Sequence, residues 1–436
     1  MTKYFQIKRF AVLLPFFTFL LLQTAQCQTP KADTSYYKGD LNVSNAQSLT
    51  LTLMIITDSD TSTVSMGSPF QTDAMTKASK SKITADSVKF NIKNAAIKVR
   101  LKRNDDANYL SGTFQQGLLF KEITFTKTDK LFTLNRPQTP VPPFAYKQKE
   151  LTFTNPECAY IFHGTLTYPE KQGKYPAVVL VSGSGCQNRD EELAKHKPFM
   201  VIADWLTNNG IVVFRYDDRG FGSKDTMMYK GTTFDFASDA RRAVELVKHQ
   251  DMVDTSCVFV LGHSEGGMIC QILAKNYSDI KGYILMASPA VDGRQIIASQ
   301  TEAILKLNNA DSVEILSEMK RIKSQTFDTN TLNGLWLDAF YKFNPKDYLP
   351  FMQSHVLVLQ GGKDIQVIKE VNMPEMKRLL KNNKKTVEYR IYPSLNHLFQ
   401  TCLTGDVSEY AQTEQTISPD VLKDITKFIL KTSKRP

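Results

Sequence analysis

The stretch VFVLGHSEGGMICQ, residues 258–271, decides the fold. An apolar run ends in Gly-His-Ser-Glu-Gly, and an apolar pattern with helical spacing resumes directly after it. A serine on a sharp turn between a buried strand and a helix takes strained backbone angles, and its neighbours two positions away must be small because strand and helix run close together. Gly262 and Gly266 meet that requirement. The stretch therefore predicts that Ser264 stands on such a turn, at the carboxyl edge of a sheet.

Partners for this serine are the more demanding test, because a chain of 436 residues matches Gly-x-Ser-x-Gly by chance about one time in ten. A serine nucleophile needs a base, and the base needs a carboxylate that orients it. Among the six histidines, His397 follows the last predicted strand. Asp364 follows the strand before it, and Asp292 follows an earlier one. We predict Ser264, His397 and Asp364 as catalytic residues, with Asp292 as the rival acid.

The attacked carbonyl oxygen develops negative charge and needs two backbone N–H donors. One is expected at Glu265, which follows the serine and opens a helix whose N-terminal N–H groups favour an anion. The other is expected in Ser-Gly-Ser-Gly-Cys, residues 182–186, where Ser184 is preferred and Gly185 is the alternative.

Two further loops are expected to brace this edge. In residues 215–225, RYDDRGFGSKD, we expect Asp217 and Arg219 to pair with each other. Residues 187–192, QNRDEE, are expected to form a polar loop that positions the donor segment.

Residues 150–436 alternate between buried apolar runs and helical patterns. This alternation predicts an α/β fold, a mostly parallel sheet with helices on both faces. Residues 290–350 interrupt the alternation with helical patterns and several aromatic residues, which indicates a helical cap inserted over the sheet.

The first 149 residues divide into three segments of different composition. Residues 1–25 combine a basic start, a short apolar run and small residues, which is typical of a secretory signal peptide. We expect export to the periplasm or the exterior, with lipid anchoring at Cys27 as a less favoured alternative. Residues 28–135 carry short runs of alternating polarity, which predict a small all-β domain. Residues 136–149 begin in a proline-rich stretch and are predicted to be an extended linker.

Composition restricts the function classes. The formal net charge is +10, but three of the positive charges lie in residues 1–25 and the other lysines are scattered, so nucleic-acid binding is not expected. The six cysteines are spread singly without a CxxC pair, and neither a metal nor a cofactor is predicted. A disulfide between Cys186 and Cys402 is left open. No apolar stretch reaches the length of a membrane span, and no oligomeric state is predicted.

The motifs as a set resemble the α/β-hydrolase family, and within it exported bacterial serine esterases. They are VSGSGCQNRDEE, HKPF, RYDDRGFGSKD, GHSEGG, GGKDIQV and NHLF, and they span residues 150–436. The resemblance implies Ser264, Asp364 and His397 as the catalytic triad. It departs at the donor loop, where Ser182 and Cys186 stand in place of the histidine and proline that many members have there.

The leading hypothesis is a serine hydrolase that cleaves small-molecule carboxylic esters through an acyl-enzyme intermediate. One alternative is a serine peptidase of the prolyl-oligopeptidase type, which shares the fold but usually carries a propeller domain larger than residues 28–135 could form. A second alternative is a non-catalytic binding protein. The acyl and alcohol parts of the substrate do not follow from the sequence pattern.

Overall fold

The computed structural model describes residues 33–434, apart from residues 45–46, 59–61, 73, 105–107, 159 and 224–229. The predicted signal peptide at residues 1–25, and Cys27, lie outside the described residues. Within the described part of the chain, none of the helices has both the length and the apolar character that crossing a membrane requires.

The N-terminal segment folds as one antiparallel sheet. Its nine strands are β1 (Asp33–Ser44), β2 (Gln47–Thr57), β3 (Ser62–Gly67), β4 (Thr76–Lys77), β5 (Lys80–Ile83), β6 (Ser87–Ile92), β7 (Ile97–Arg103), β8 (Tyr109–Gln116) and β9 (Leu119–Thr128). Their spatial order is β4-β3-β2-β1-β9-β8-β7-β6-β5. The two edge strands β4 and β5 follow each other in the chain, so the sheet curls back on itself, and Ala78 N donates to Val64 O beyond the end of β4. Alternate side chains fill its interior, as the period of two requires.

The second sheet has eight strands. They are β10 (Tyr146–Thr154), β11 (Ile161–Pro169), β12 (Tyr175–Val181), β13 (Val212–Tyr216), β14 (Val253–His263), β15 (Gly282–Met286), β16 (His355–Gly361) and β17 (Val387–Tyr392). Their order is β10-β11-β13-β12-β14-β15-β16-β17.

This second sheet is mixed, which corrects the prediction of a mostly parallel sheet. The pairings from β13 through β12 to β17 are parallel, whereas β10 pairs antiparallel with β11, and β11 antiparallel with β13. The physical reason is that only a short loop joins β10 to β11, and a short loop can connect antiparallel strands but not parallel ones. The sequence pattern did not predict strand β10, because most of its side chains are exposed at the sheet edge and it lacks a buried apolar run.

Helices cover both faces of this sheet, as the alternating pattern predicts. They are α1 (Pro198–Asn208), α2 (Thr233–Lys248), α3 (Glu265–Asn276), α4 (Gly293–Leu307), α5 (Ser312–Ser324), α6 (Leu332–Lys342), α7 (Lys369–Leu379), α8 (Ser408–Gln412) and α9 (Pro419–Ser433). Helices α1 and α9 share one apolar core, while α2 and α3 share the core on the opposite face. A capping box begins α2, with Asp235 N bonded to Thr232 Oγ1 and Thr232 N bonded to the Asp235 carboxylate.

Helices α4, α5 and α6 form the insertion between β15 and β16. Gly293 opens α4 against the end of α6, where a Cβ on that glycine would lie 1.8 Å from Phe340 O. This close approach holds α6 over the carboxyl edge of the sheet. The sequence pattern did not predict helix α7, because Pro374 lies inside it and proline is normally disfavoured in a helix interior.

Candidate active site

Ser264 lies on a strained turn between β14 and α3. Its φ of 53° and ψ of −115° lie outside the usual regions for a residue with a side chain. A Cβ on Gly262 would lie 2.0 Å from Gly266 O, and one on Gly266 would lie 2.3 Å from Val181 O. The glycine spacing is therefore a steric requirement of the turn, as the sequence pattern indicates.

His397 and Asp364 lie together at the same edge. His397 follows β17, Asp364 follows β16, and His397 Nδ1 lies 2.9 Å from Asp364 Oδ2. Both residues are buried, each 4% exposed. Asp364 Oδ1 accepts hydrogen bonds from the backbone N–H groups of Gln366 and Val367, at 2.8 and 2.9 Å, which fix the carboxylate. Since a carboxylate accepts, Nδ1 donates to it, and this tautomer leaves Nε2 of a neutral ring as an acceptor.

The rival acid lies elsewhere. Asp292 is the N-cap of α4, where its side chain accepts from Gln295 N at 2.9 Å. Of the two aspartates, the structure brings only Asp364 to the His397 ring.

The loop after β12 approaches the nucleophile closely. A Cβ on Gly183 would lie 3.2 Å from Ser264 Cβ. Gly183 N itself donates to Glu191 Oε1 at 2.8 Å. Among the described residues, the N–H groups of Ser184 and Glu265 have no backbone or side-chain acceptor. These two donors therefore remain available for an oxyanion, while that of Gly183 is occupied.

Asp218 holds the two ends of this loop. Its carboxylate accepts from Ser182 Oγ at 2.7 Å and from Gln187 N at 2.8 Å. Burial raises the pKa of Asp218 to about 8, against the opposing effect of those hydrogen bonds. Sequence patterns indicate no specific role for Asp218, because its partners lie more than 30 residues away in the chain.

His263 connects the donor loop to the His397 loop. Its Nδ1 lies 2.9 Å from Glu191 Oε1, and its Nε2 lies 3.0 Å from the backbone oxygen of His397. Both partners are acceptors, so both ring nitrogens must donate and the ring is an imidazolium. Burial by itself lowers the pKa of His263, but the charge and hydrogen bond of Glu191, together with the His397 carbonyl and the charge of Asp364, raise it overall. Sequence reasoning named residues 187–192 as a positioning loop but missed the Glu191–His263 pair.

A cavity of about 530 Å³ lies under α6 and is lined by Gly183 and by Glu265, the residue that follows Ser264. Its walls come from the donor loop, the ends of β12 and β13, the starts of α2 and α3, and helix α6. Glu265 contributes its side chain to the wall, where its carboxylate accepts from Thr233 Oγ1 at 2.6 Å and from Trp336 Nε1 at 3.0 Å. Trp336 in turn lies against Phe340 of the same helix, with ring centroids 5.4 Å apart.

The structure corrects the expected pairing of Asp217 with Arg219, and it decides the disulfide that the sequence left open. Asp217 and Arg219 do not pair: Asp217 binds Arg189 at 2.6 Å, and Arg219 binds Asp239 at 2.8 Å. Cys186 and Cys402 are free thiols rather than a disulfide. Within the described ranges no cluster of three or more His, Cys, Asp or Glu side chains could hold a metal ion.

Comparisons with known proteins find a family model and a relative that are similar to part of this chain in sequence. Residues 195–331 match the family model described as serine aminopeptidase, S33. Over 289 residues the chain is 30% identical to Esterase EstD of Thermotoga maritima, and the alignment covers 65% of this chain and 65% of the relative's own length.

Two solved structures superpose on parts of this chain with low TM-scores. The esterase Pf2001 of Pyrococcus furiosus superposes with a TM-score of 0.46 at 13% identity, covering 70% of this chain and 99% of that one. The acylaminoacyl peptidase of Pyrococcus horikoshii superposes with a TM-score of 0.46 at 12% identity, covering 88% of this chain and 55% of that one. The predicted family resemblance is confirmed by the sequence matches: part of this chain is similar to the S33 serine aminopeptidase family model, and about two thirds of it is similar to an esterase.

Proposed function

We propose that this protein hydrolyses carboxylic esters through an acyl-enzyme intermediate, with Ser264 as nucleophile, His397 as base and Asp364 as the acid that orients it. The observation that carries the proposal is the buried hydrogen bond between His397 Nδ1 and Asp364 Oδ2, in loops that pack against the elbow of Ser264. This bond selects the ring tautomer that a serine nucleophile needs from its base.

The reaction then proceeds in two halves. His397 Nε2 takes the proton of Ser264 as the hydroxyl oxygen attacks the acyl carbon, and the same ring returns the proton to the departing alcohol. Water, deprotonated by His397, next attacks the acyl-serine and releases the acid. In both halves the N–H groups of Glu265 and Ser184 bind the developing oxyanion. Each such donor contributes about 3 kcal/mol of transition-state stabilisation.

A direct assay compares nitrophenyl esters of rising acyl length with aminoacyl nitroanilides, for the wild type and Ser264→Ala. We expect ester hydrolysis that falls to the uncatalysed background in the variant. Full activity in Ser264→Ala, or no ester hydrolysis by the wild type, contradicts the proposal. Preferential cleavage of the nitroanilides would favour the peptidase alternative.

We also propose that the chain is exported and loses residues 1–25. The basic start and the apolar run of that segment support export and cleavage. The mass of the protein recovered from the producing cells tests it: export with cleavage predicts a mature chain beginning at Gln26, whereas an intact Met1 in the exported fraction contradicts it.

A further inference from the structure

The position of the cavity relative to the strand order separates the two halves of an ester. Strand β14, which ends at Ser264, lies between β12 on one side and β15 and β16 on the other. The cavity is on the β12 and β13 side, where it contacts Gly183 and Tyr216. Asp364 and His397 follow β16 and β17, on the opposite side.

This arrangement assigns the cavity to the acyl group. The departing alcohol oxygen must receive its proton from His397, so the alcohol lies on the β16 and β17 side of Ser264. The carbonyl oxygen occupies the N–H groups of Glu265 and Ser184. The remaining substituent of the acyl carbon, its chain or ring, is left facing the cavity on the β12 side.

The Glu265 side chain, next to the nucleophile, holds Trp336 of α6 in the wall of the cavity by a hydrogen bond. Glu265 is 2% exposed, and its carboxylate receives hydrogen bonds from Thr233 of α2 and Trp336 of α6. The Trp336 indole is therefore held at a fixed position above the cavity by a residue adjacent to the nucleophile.

Among the residues that the structure describes, the wall offers no unpaired cation to an anionic acyl group. Arg219 is the one cation among the described lining residues, and its Nε and Nη2 donate to the Asp239 carboxylate, at 2.9 and 2.8 Å. Asp218 and Glu265 add two more buried carboxyl groups. The rest of the wall is largely apolar and includes these side chains: Val181, Tyr216, Phe221, Phe236, Ile269 and Trp336.

We propose that this cavity binds the acyl part of the substrate, that the acyl part is an uncharged medium-length chain or aromatic ring, and that Trp336 sets its upper size. A volume of about 530 Å³ lies within the range of about 300–1,000 Å³ that is usual for small-molecule sites. The proposal rests on ester hydrolysis at Ser264.

The kinetic test measures kcat/KM on nitrophenyl esters of acetate, butyrate, octanoate, decanoate and benzoate, and on the succinate hemiester. In the wild type we expect kcat/KM to rise by up to about fourfold per buried methylene until the chain meets Trp336. In Trp336→Ala the ratio of decanoate to acetate should increase at least tenfold, and the succinate hemiester should be the poorest substrate of both proteins. Trp205→Phe is the matched control, because the only other tryptophan lies between α1 and α9, where it bonds to Thr426.

A binding measurement separates this proposal from the proposed function. In the double variant Ser264→Ala/Trp205→Phe, Trp336 is the sole tryptophan, and methyl octanoate should change its fluorescence saturably whereas monomethyl succinate should not. If methyl octanoate binds but no ester is turned over by the wild type, the cavity assignment stands and the proposed function fails. If esters are hydrolysed but Trp336→Ala leaves the length profile unchanged, or succinate is handled as well as butyrate, the cavity assignment is overturned.

Discussion

Replacing Glu191 by glutamine tests whether the His263 imidazolium holds the active-site loops together. Glu191 Oε1 accepts from Gly183 N at 2.8 Å and from His263 Nδ1 at 2.9 Å, and His263 passes the connection to His397 O at 3.0 Å. Glutamine keeps an acceptor oxygen of similar shape but removes the negative charge. The substitution therefore weakens the electrostatic part of the connection and leaves its volume nearly intact.

The expected loss of stability follows from these contacts. A hydrogen bond to a charged group contributes about 1.5–3 kcal/mol and a neutral one about 0.5–1.5, so two affected bonds cost about 2 kcal/mol. His263 then loses the partner that keeps it protonated, and its bond to the His397 carbonyl adds about 1 kcal/mol. For a unit of this size, where 1 kcal/mol shifts Tm by about 2 °C, a decrease of roughly 4–6 °C is expected. Displacement of the His397 loop should lower kcat by about 10- to 100-fold with little change in KM.

The pH dependence has a defined sign. Glu191 raises the folded-state pKa of His263 above its unfolded value of about 6.5. The stability from this pair is therefore fully present below pH 6.5 and is lost as pH rises through the raised pKa. The Tm difference between wild type and Glu191→Gln should be largest at pH 5.5–6.5 and shrink in alkaline buffer.

Calorimetry across pH, combined with initial rates on one nitrophenyl ester, measures both effects. Glu192→Gln is the matched control, since Glu192 is the adjacent acid and is exposed. A Tm difference that does not vary with pH, or an unchanged kcat in Glu191→Gln, would refute the assignment of His263 as a buried cation that positions His397.

Three further predictions concern the acid, a buried histidine and a thiol. Asp364→Asn should lower kcat by about 10⁴-fold, because the wrong tautomer of His397 becomes favoured. Asp292→Asn retains the cap of α4, so its kcat should stay within about threefold of the wild type. Steady-state kinetics measure both variants, and an inactive Asp292→Asn would reverse the assignment of the acid. Burial, aided by the charge of Arg136, lowers the pKa of His196 to about 4. The free energy of unfolding should therefore fall as pH decreases from about 6.5 towards 4. In His196→Gln, acid unfolding curves should lack the part of this pH dependence that comes from His196. Burial and the nearby charges of Asp218 and Asp217 raise the pKa of Cys186 to about 12. Iodoacetamide should therefore label this thiol slowly at pH 8, although Cys186 is exposed. Mass spectrometry measures the labelling rate, and rapid labelling would contradict the prediction.

The sequence by itself was enough to single out Ser264, His397 and Asp364 as candidates, because each follows a buried strand and the parallel strands end at one edge. The glycines around Ser264 reflect a steric demand that is local in the chain, and the capping box of α2 is local as well. Signals of this kind are readable without a structure.

Patterns failed where a partner lies far away in the chain or where local preference is overridden. Asp217 and Arg219 are two residues apart, but their partners are Arg189 and Asp239, on separate segments. Helix α7 forms despite Pro374, and β10 lacks an apolar pattern because it lies at the sheet edge.

Tertiary structure alone decided which aspartate lies against His397, how His263 becomes a cation, and which side of Ser264 carries a cavity. Glu191 and His263 are 72 residues apart, and Glu265 and Trp336 are 71 apart. Hydrophobic period and turn chemistry specify elements from neighbouring residues, whereas a charge or hydrogen-bond partner depends on where separate loops meet once the sheet has assembled. The sequence therefore determined which residues could react, and the folded chain determined what orients them and what lies beside them.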